Sequence, residues 1–243
     1  MRRRLAGMLR KAVASVLLLP GAGLAGAQAL AVMPISVALL PGQKATSLTV
    51  VNKGQTATSV QIRVYGWSQS DGDDHLVASD IVMASPPIAT IAPNASQTIR
   101  VVLRRSPEGE EETYRIILDQ LPPPPEPGVV HVVLRMSIPI FAEPHGPVPS
   151  RLTFHLEKQG ENTFLVASNT GDTHETLRDM KLALSDGTSV EVKAHGSPYI
   201  LAGATRRWPL VSGDTLPAHP ALRVSAQGVS GAIHQQVALA DNF

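Results

Sequence analysis

The chain has 243 residues, 43% of them hydrophobic and 17% charged, a composition typical of a globular protein with one large domain or two ordinary ones. Its formal net charge is +1, and four of its 21 basic residues lie in the first ten positions, so nothing indicates a nucleic-acid-binding patch. The absence of cysteine excludes disulfide bonds, thiol nucleophiles and thiolate metal ligands.

The first 29 residues have the pattern of a secretory signal peptide. Four arginines among the first ten residues supply a positive n-region, and a short apolar segment, residues 12–26, follows them. Pro and Gly interrupt that segment, which is too short to span a bilayer comfortably. Small residues then allow cleavage after Ala27, Ala29 or Ala31, and we expect it after Ala29. The product would be an exported protein.

Beyond the signal peptide, short alternating apolar runs recur about every ten residues and are separated by turn residues. Seven or eight such runs over roughly 110 residues are typical of an immunoglobulin-like β-sandwich, and no long helical period interrupts them. The predicted strands are Val32–Leu40, Thr46–Val51, Val60–Trp67, Asp80–Met83, Ile88–Ile91, Thr98–Leu103, Thr113–Leu121 and Val129–Phe141.

The last predicted strand of this set, Val129–Phe141, has a strong period-two pattern. Polar or turn-forming residues, among them His131, Arg135 and Pro139, occupy odd positions. Its apolar face has two interpretations: it lies in the core of its own domain, as in most sandwich strands, or it is donated to a partner protein. The even positions are Val130, Val132, Leu134, Met136, Ile138 and Ile140.

A Pro- and Gly-rich segment, residues 143–149, breaks the pattern and is predicted to be a short, stiff linker. It divides the mature chain into an N-terminal domain, residues 30–142, and a C-terminal domain, residues 150–243. The predicted strands of the second domain are Arg151–Leu156, Thr163–Ser168, Leu177–Leu184, Ser189–Ala194, Tyr199–Leu201, Thr205–Leu210, Leu222–Ala226 and Ile233–Leu239.

The two halves of the chain share one short, similar sequence pattern. Leu48–Gly54 reads LTVVNKG and Phe164–Gly171 reads FLVASNTG, and both are predicted strands that end in Asn-X-Gly. The sequence therefore predicts an all-β protein made of two related, tandem immunoglobulin-like β-sandwich domains after a cleaved signal peptide.

No segment of the sequence has the pattern of a catalytic, cofactor or metal site. The eight histidines show no H-x-H or H-x-x-x-H spacing, and no nucleophile elbow or phosphate-binding glycine loop is present. Asp71–Asp74 is predicted to be an acidic hairpin tip, because the Glu that a calcium loop needs is missing. His174-Glu175 is predicted to be a solvated turn. We expect no enzymatic activity, no metal and no cofactor.

Three consecutive segments resemble a known family. Tyr114–Pro122 ends a strand in a Y-x-x-x-L-x-x-L-P pattern, Pro123–Gly128 forms a short proline-rich turn, and the alternating strand Val129–Phe141 follows. This order of motifs resembles the periplasmic chaperones of chaperone–usher pili.

Two upstream segments and two details extend the resemblance over most of the first domain. Ser85–Ile88 and Pro93–Arg100 match the family's P-P … P-G-x-x-x-x-x-R region, with Asn94 where Gly is usual. Met33–Ile35 and Ser137–Phe141 look most like the archaic, spore-coat-U-like branch. The predicted second domain resembles that of the family in length and strand rhythm.

The resemblance implies a periplasmic chaperone whose partners are pilin subunits and an outer-membrane usher. A pilin subunit is a sandwich that lacks its last strand, and the chaperone fills the open groove with its own alternating strand. Burying four such side chains would contribute about 6–10 kcal/mol before ordering costs, and no nucleotide is needed. The donor residues would be Val130, Val132, Leu134 and Met136.

One feature of the family is missing. In its well-known branches two basic residues in the interdomain cleft bind the subunit's C-terminal carboxylate, and the resemblance places those positions at Ser36 and Pro139. Antiparallel pairing across the proline-rich turn predicts Arg115 opposite residues 135–139, near the cleft. For each arginine that could replace the missing basic residues, the alternative is an ordinary solvent-exposed arginine on a strand. The candidates are, in order, Arg115, Arg135 and Arg100.

Two functions are compatible with these patterns. The first is a pilus-assembly chaperone, and the second is a structural or adhesive secreted sandwich that keeps the strand in its own core. Solvent exposure of positions 130, 132 and 134 would favour the first, and burial in their own core the second. Exposed strand edges also permit a self-capping homodimer when no subunit is bound.

Overall fold

A computed structural model describes most of the predicted mature chain. Every element of regular structure that it contains is a β-strand, which confirms the all-β prediction, whereas the predicted signal peptide, residues 1–29, lies outside it. Within this part of the chain, no helix is long and apolar enough to cross a membrane. The described residues are 30–128, 130–146, 149–193, 196–211, 221–229 and 231–239.

Two sheets form the first sandwich. Its strands are β1 (Leu30–Met33), β2 (Val37–Leu39), β3 (Ala45–Asn52), β4 (Thr58–Ser70), β5 (Asp73–Ala78), β6 (Val82–Ser85), β7 (Ile88–Ile91), β8 (Ser96–Leu103), β9 (Glu112–Leu121) and β10 (Arg135–Ala142). One sheet has the order β1-β3-β8-β6, and the other has the order β2-β10-β9-β4-β5, with β7 paired to β4.

The first core lies between these two sheets. Alternate residues of β3 and β8, such as Val50 and Ile99, face alternate residues of β9 and β10, such as Ile116 and Ile140, and all four are fully buried. The period-two pattern read from the sequence is therefore the pattern of burial in β3 and β8, whereas Tyr114–Leu118 of β9 and Ile138–Ala142 of β10 are buried on both faces.

The prediction of one continuous strand over Val32–Leu40 was wrong. It is divided at Pro34-Ile35-Ser36 into β1, which pairs with β3, and β2, which pairs in parallel with β10 of the other sheet. A proline cannot donate a backbone hydrogen bond, so the interruption falls where the chain passes from one sheet to the other.

The predicted strand Val129–Phe141 was also too long. β10 begins at Arg135, residues 130–134 form no strand, and Val129 lies outside the described residues. Pairing with β9 starts at Arg135↔Asp119, and of the described residues 130–134 before it, only Leu134 is hydrogen-bonded to that strand, through Gln120. An alternating pattern predicts a strand, but it does not supply the partner that a strand needs.

Asn94 accounts for one departure from the family pattern. Its backbone φ is 57°, in the left-handed region that glycine adopts most readily. Asparagine is among the few other residues that enter this region easily, so the turn that usually carries Gly is retained here.

The second domain encloses a separate core. Its strands have the sheet order β15-β14-β18-β19-β11-β12-β17, with an additional ribbon of β13 and β16. β11 and β19 share two residue pairs, and both halves of the sheet contribute to one apolar cluster. The strands are β11 (Leu152–Gln159), β12 (Asn162–Asn169), β13 (Glu175–Thr176), β14 (Arg178–Leu184), β15 (Ser189–Val190), β16 (Tyr199–Ile200), β17 (Thr205–Pro209), β18 (Leu222–Gln227) and β19 (Ala232–Leu239).

The sequence pattern shared by the two halves corresponds to one repeated hydrogen-bond motif. Asn52 and Asn169 each end a strand, their side-chain oxygens accept from the amides of Gly54 and Gly171, and their side-chain nitrogens lie near three backbone carbonyls. At Gly171 a Cβ would lie 2.2 Å from the carbonyl oxygen of Pro149, so the motif requires glycine there. The carbonyls are those of Thr56, Ile91 and Ala92 for Asn52, and of Thr173, Ile200 and Leu201 for Asn169.

Replacing either asparagine should destabilise the protein strongly. Asn52→Ala and Asn169→Ala each leave buried backbone carbonyls without donors, and we expect each to lower the free energy of unfolding by about 2–3 kcal/mol. Urea denaturation measures this, with Asn162→Ala at an exposed site as the matched control. A loss no larger than that of the control would contradict the structural role of the motif.

Candidate functional site

The most unusual surface of the molecule is the apolar segment before β10, residues 130–134. Side chains on one face become progressively more exposed towards the N-terminus: Ile140 is 0% exposed and Ile138 4%, whereas Leu134 is 39%, Val132 81% and Val130 90% exposed. The face that fills the domain's own core thus continues into solvent. A contiguous exposed apolar surface of this kind indicates a binding site.

Met136 lies at the point where this face leaves the core. Its side chain is half-buried and packs against the first core cluster. Among the four predicted donor residues it is therefore the one already engaged in its own domain, whereas Val130, Val132 and Leu134 face solvent.

The strand that follows the segment has an unpaired edge. β9 pairs with all of β10, whereas on the other side β2 pairs with Ile140–Ala142 alone. Among the residues that the structure describes, no strand therefore lies beside the other side of the Arg135–Pro139 backbone. Pro139 fits this position, because proline is tolerated on edge strands. An incoming strand could pair along this edge.

Polar contacts fix the base of the exposed segment. The Gln120 amide donates to the Leu134 carbonyl over 2.9 Å, and the Leu134 amide donates to the Gln120 side chain over 3.2 Å. Arg135 and Arg63 both bind Asp119, and their hydrogen bonds and charges lower the pKa of that carboxyl. The segment leaves the sheet from a defined point.

Arg115 lies in the cleft between the domains. It is opposite Pro139 in the β9–β10 register, as antiparallel pairing predicted, so it projects from the same face as the position where the family carries a basic residue. Its guanidinium lies 3.6 Å from the centre of the Trp67 ring, and the residue is 9% exposed. The alternative of a solvated strand arginine is wrong.

The Arg115 guanidinium has weak polar partners. Its nitrogens lie 3.1 Å from the Ser197 hydroxyl, 3.4 Å from the Ser137 hydroxyl and 3.8 Å from the Asp74 carboxylate. Burial lowers the pKa of this guanidinium, and the charge of Asp74 opposes that effect. These groups, with Leu76 and Tyr199, line a cleft of about 360 Å³. The cleft therefore offers a cation to an anionic group.

The other two anchor candidates lie elsewhere. Arg135 is exposed and bound to Asp119, four residues along β10 from Pro139. Arg100 is exposed on β8, in the opposite sheet. The structure thus brings only Arg115, of the three, into the cleft. Ser36, the other position where the family carries a base, is half-buried in the connection between β1 and β2.

Sequence reasoning missed a buried polar contact between the domains. The predicted solvated turn at His174-Glu175 is wrong: the His174 ring stacks on Phe141 with ring centres 3.6 Å apart, and Glu175 is buried. The His174 Nδ1 atom lies 2.8 Å from Glu111, which is also buried and accepts a hydrogen bond from Thr173. Glu111 directly precedes β9, and nothing in the sequence around it indicates that it contacts His174 of the second domain.

Apolar and aromatic contacts complete this interface. Trp67 and Phe141, both from the first domain, belong to the core cluster of the second, and Tyr199 of the second packs against both rings. The tip of the β4–β5 hairpin, an acidic turn at Asp71-Gly72 as predicted, reaches the second domain, where Gln69 accepts from the Leu201 amide. The cleft around Arg115 is thus built from both domains.

Comparison with known proteins identifies the first domain. Residues 29–147 match the family model of the pili and flagellar-assembly chaperone, PapD N-terminal domain. No curated protein matches the sequence significantly.

Solved structures share the two-domain fold over nearly the whole chain. The CsuC–CsuE chaperone–tip adhesion subunit complex from archaic Csu pili of Acinetobacter baumannii matches with a TM-score of 0.68 at 22% identity, over 88% of this chain and 100% of that chain. The Salmonella enterica complex of SafA pilin with the SafB chaperone matches with 0.58 at 15%, over 86% and 96%. The periplasmic chaperone SfaE matches with 0.57 at 16%, over 86% and 100%.

Breaking the Glu111 contact should loosen the interface between the domains. Glu111→Ala removes the acceptor for Thr173 and His174, and we expect a loss of about 2 kcal/mol in the free energy of unfolding and a broader distance distribution in small-angle X-ray scattering. Glu110→Ala, at the exposed neighbouring position, is the control. If both variants scatter like the unmodified protein, this contact does not hold the domains together.

Proposed function

The chain belongs to the family of pilus-assembly chaperones, and we propose that it caps pilin subunits by donating the apolar face of residues 130–134. One observation carries the proposal. The core-facing side of β10 extends past the end of its own sandwich and exposes Val130, Val132 and Leu134 to solvent. A second sandwich with an open groove can continue that core across the two proteins.

Strand addition supplies both backbone and side-chain contacts. The free edge at Arg135–Pro139 can pair with a strand of the subunit, while alternate side chains before it enter the open groove. Transfer of Val130, Val132 and Leu134 from solvent into a subunit core would contribute about 4–7 kcal/mol before ordering costs. Met136 would complete the row at the boundary between the two cores.

Arg115 would bind the carboxylate at the subunit's C-terminus. Its side chain leaves β9 beside Pro139, and its present partners are two hydroxyls and a carboxylate that lies too far away for a hydrogen bond. A carboxylate in the cleft can form two charge-assisted hydrogen bonds to a guanidinium, and these would fix the register of the added strand.

The location and the second partner follow from the same proposal. A chain with a signal peptide over residues 1–29 would enter the periplasm, meet subunits as they are exported and deliver them to an outer-membrane usher. The alternative, a secreted structural or adhesive protein that keeps the strand in its own core, is not favoured, because residues 130–134 do not pack in that core.

Leu134→Glu should abolish subunit capture and leave the fold intact. The side chain is 39% exposed in the free chain, so a charge is tolerated there, but it cannot enter a subunit core cheaply. The measurement is co-purification from the periplasm of the native host, with partners identified by mass spectrometry. Val133→Glu is the matched control, because Val133 is similarly exposed but occupies an odd position of the alternating pattern, outside the proposed donor residues.

We expect a stoichiometric small secreted protein with the unmodified chain and with Val133→Glu, and none with Leu134→Glu. Equal recovery with both variants would contradict strand donation. Unfolding of Leu134→Glu would place the strand in its own core.

Arg115→Gln should weaken subunit capture at least tenfold, because the subunit carboxylate loses its charged partner. Quantitative co-purification with the same subunit measures this, alongside the thermal unfolding midpoint of each variant. Arg100→Gln removes an equal charge from the opposite sheet and should bind normally. If Arg115→Gln is folded and captures the subunit fully, another residue is the anchor.

A further inference from the structure

A single carboxylate lies between two arginines in the cleft. Asp74, on β5, is 3.8 Å from Arg115 of its own domain and 3.4 Å from Arg206 of the second domain. Arg206 is nearly buried, with a side chain 7% exposed, whereas Asp74 is 32% exposed. The three groups together carry a net positive charge beside open solvent.

The two oxygens of Asp74 are not equivalent. Oδ1 accepts from Gln69 over 2.8 Å and from Arg206 over 3.4 Å, whereas Oδ2 faces Arg115 at a distance too long for a hydrogen bond. Gln69 is itself fixed, because it also donates to the Tyr199 carbonyl over 3.0 Å. The contacts on Oδ1 therefore turn Asp74 away from Arg115.

We propose that Asp74 is an exchangeable counter-ion of Arg115, which Arg206 and Gln69 hold back so that a carboxylate entering the cleft can bind Arg115 in its place. This inference rests on the proposed function, because the natural ligand would be the carboxylate of a captured subunit. In the empty cleft, Asp74 partly compensates the buried charge of Arg115. In the occupied cleft, it remains paired with Arg206.

The exchange would couple binding to the position of the second domain. Arg206 lies at the start of β17, and it also donates to the Ser197 carbonyl over 3.3 Å. Ser197 in turn holds Arg115 through its hydroxyl. A displacement of the second domain would therefore alter the distance between Asp74 and Arg115, and with it the availability of the anchor.

The test uses acetate as the probe and the side-chain Nε–H signal of Arg115, followed by nitrogen-15 NMR at constant ionic strength set with chloride. We expect Asp74→Asn to bind acetate about threefold or more tightly than the unmodified chain, because the competing carboxylate is gone. Arg206→Gln should bind about threefold less tightly, because Asp74 then moves onto Arg115.

The double variant Asp74→Asn/Arg206→Gln separates positioning from simple charge. If Arg206 acts through Asp74, the Arg206→Gln effect disappears when Asp74 is absent. An equal effect in both backgrounds would overturn the inference, since Arg206 would then be only a nearby positive charge. The inference would also be overturned if Asp74→Asn did not bind acetate more tightly than the unmodified chain. It would likewise be overturned if the Arg115 signal did not respond to acetate.

Two controls keep the test specific. Arg207→Gln removes the same charge from the next residue, whose partner is Glu157 at 2.8 Å, and should leave acetate binding unchanged. Arg206→Lys keeps the charge should Arg206→Gln fail to fold, and it should bind like the unmodified chain. Because acetate replaces the subunit, failure of this inference is distinguishable from failure of strand donation, which Leu134→Glu tests.

Discussion

The structure depends on one constraint: an apolar face that begins inside the first sandwich does not end there. Ile140 and Ile138 fill the domain's core, and the same face of the chain carries Leu134, Val132 and Val130 into water. Exposing apolar surface to water costs free energy in proportion to its area, so burying this segment against another apolar surface would be favourable. The unpaired backbone edge of β10 beside it also offers hydrogen-bond donors and acceptors with a fixed direction.

The second domain supplies the walls of the cleft at the other end of the strand. Phe141, at the end of β10, packs into the second core and stacks on His174, so this end of the strand is held by both domains, whereas residues 130–133 before its other end pair with no strand in the described part of the chain. Arg115 is held at this end by Trp67. In the proposed complex, a subunit that pairs along the strand would meet the charge of Arg115 at a set distance from the proposed donor side chains, and this distance would fix the register of the pairing.

The alternating apolar runs were sufficient to predict the all-β fold, because period-two burial is a local property of each strand. The runs were insufficient where the formation of a strand depends on a second strand that is distant in the sequence. Residues 130–134 alternate like β10, yet they form no strand, and Pro34 divides a run that looks continuous. Antiparallel counting placed Arg115 opposite residues 135–139, and its partner in the structure is Pro139, but neither its stacking on Trp67 nor its proximity to Asp74 is visible in the sequence. Such contacts depend on how β4, β5 and β9 are placed beside one another in the sheet, which no local pattern of the sequence reports.

Hydrogen exchange tests the central proposal most directly. In the free chain, the backbone amides of residues 130–133 have no strand partner and should exchange at nearly the intrinsic rate. In a stoichiometric complex with the co-purified subunit, we expect those amides and those on the free edge of β10 to be protected at least a hundredfold. A tight complex in which residues 130–133 remain unprotected would show that the subunit is bound by some other surface, and would contradict strand donation.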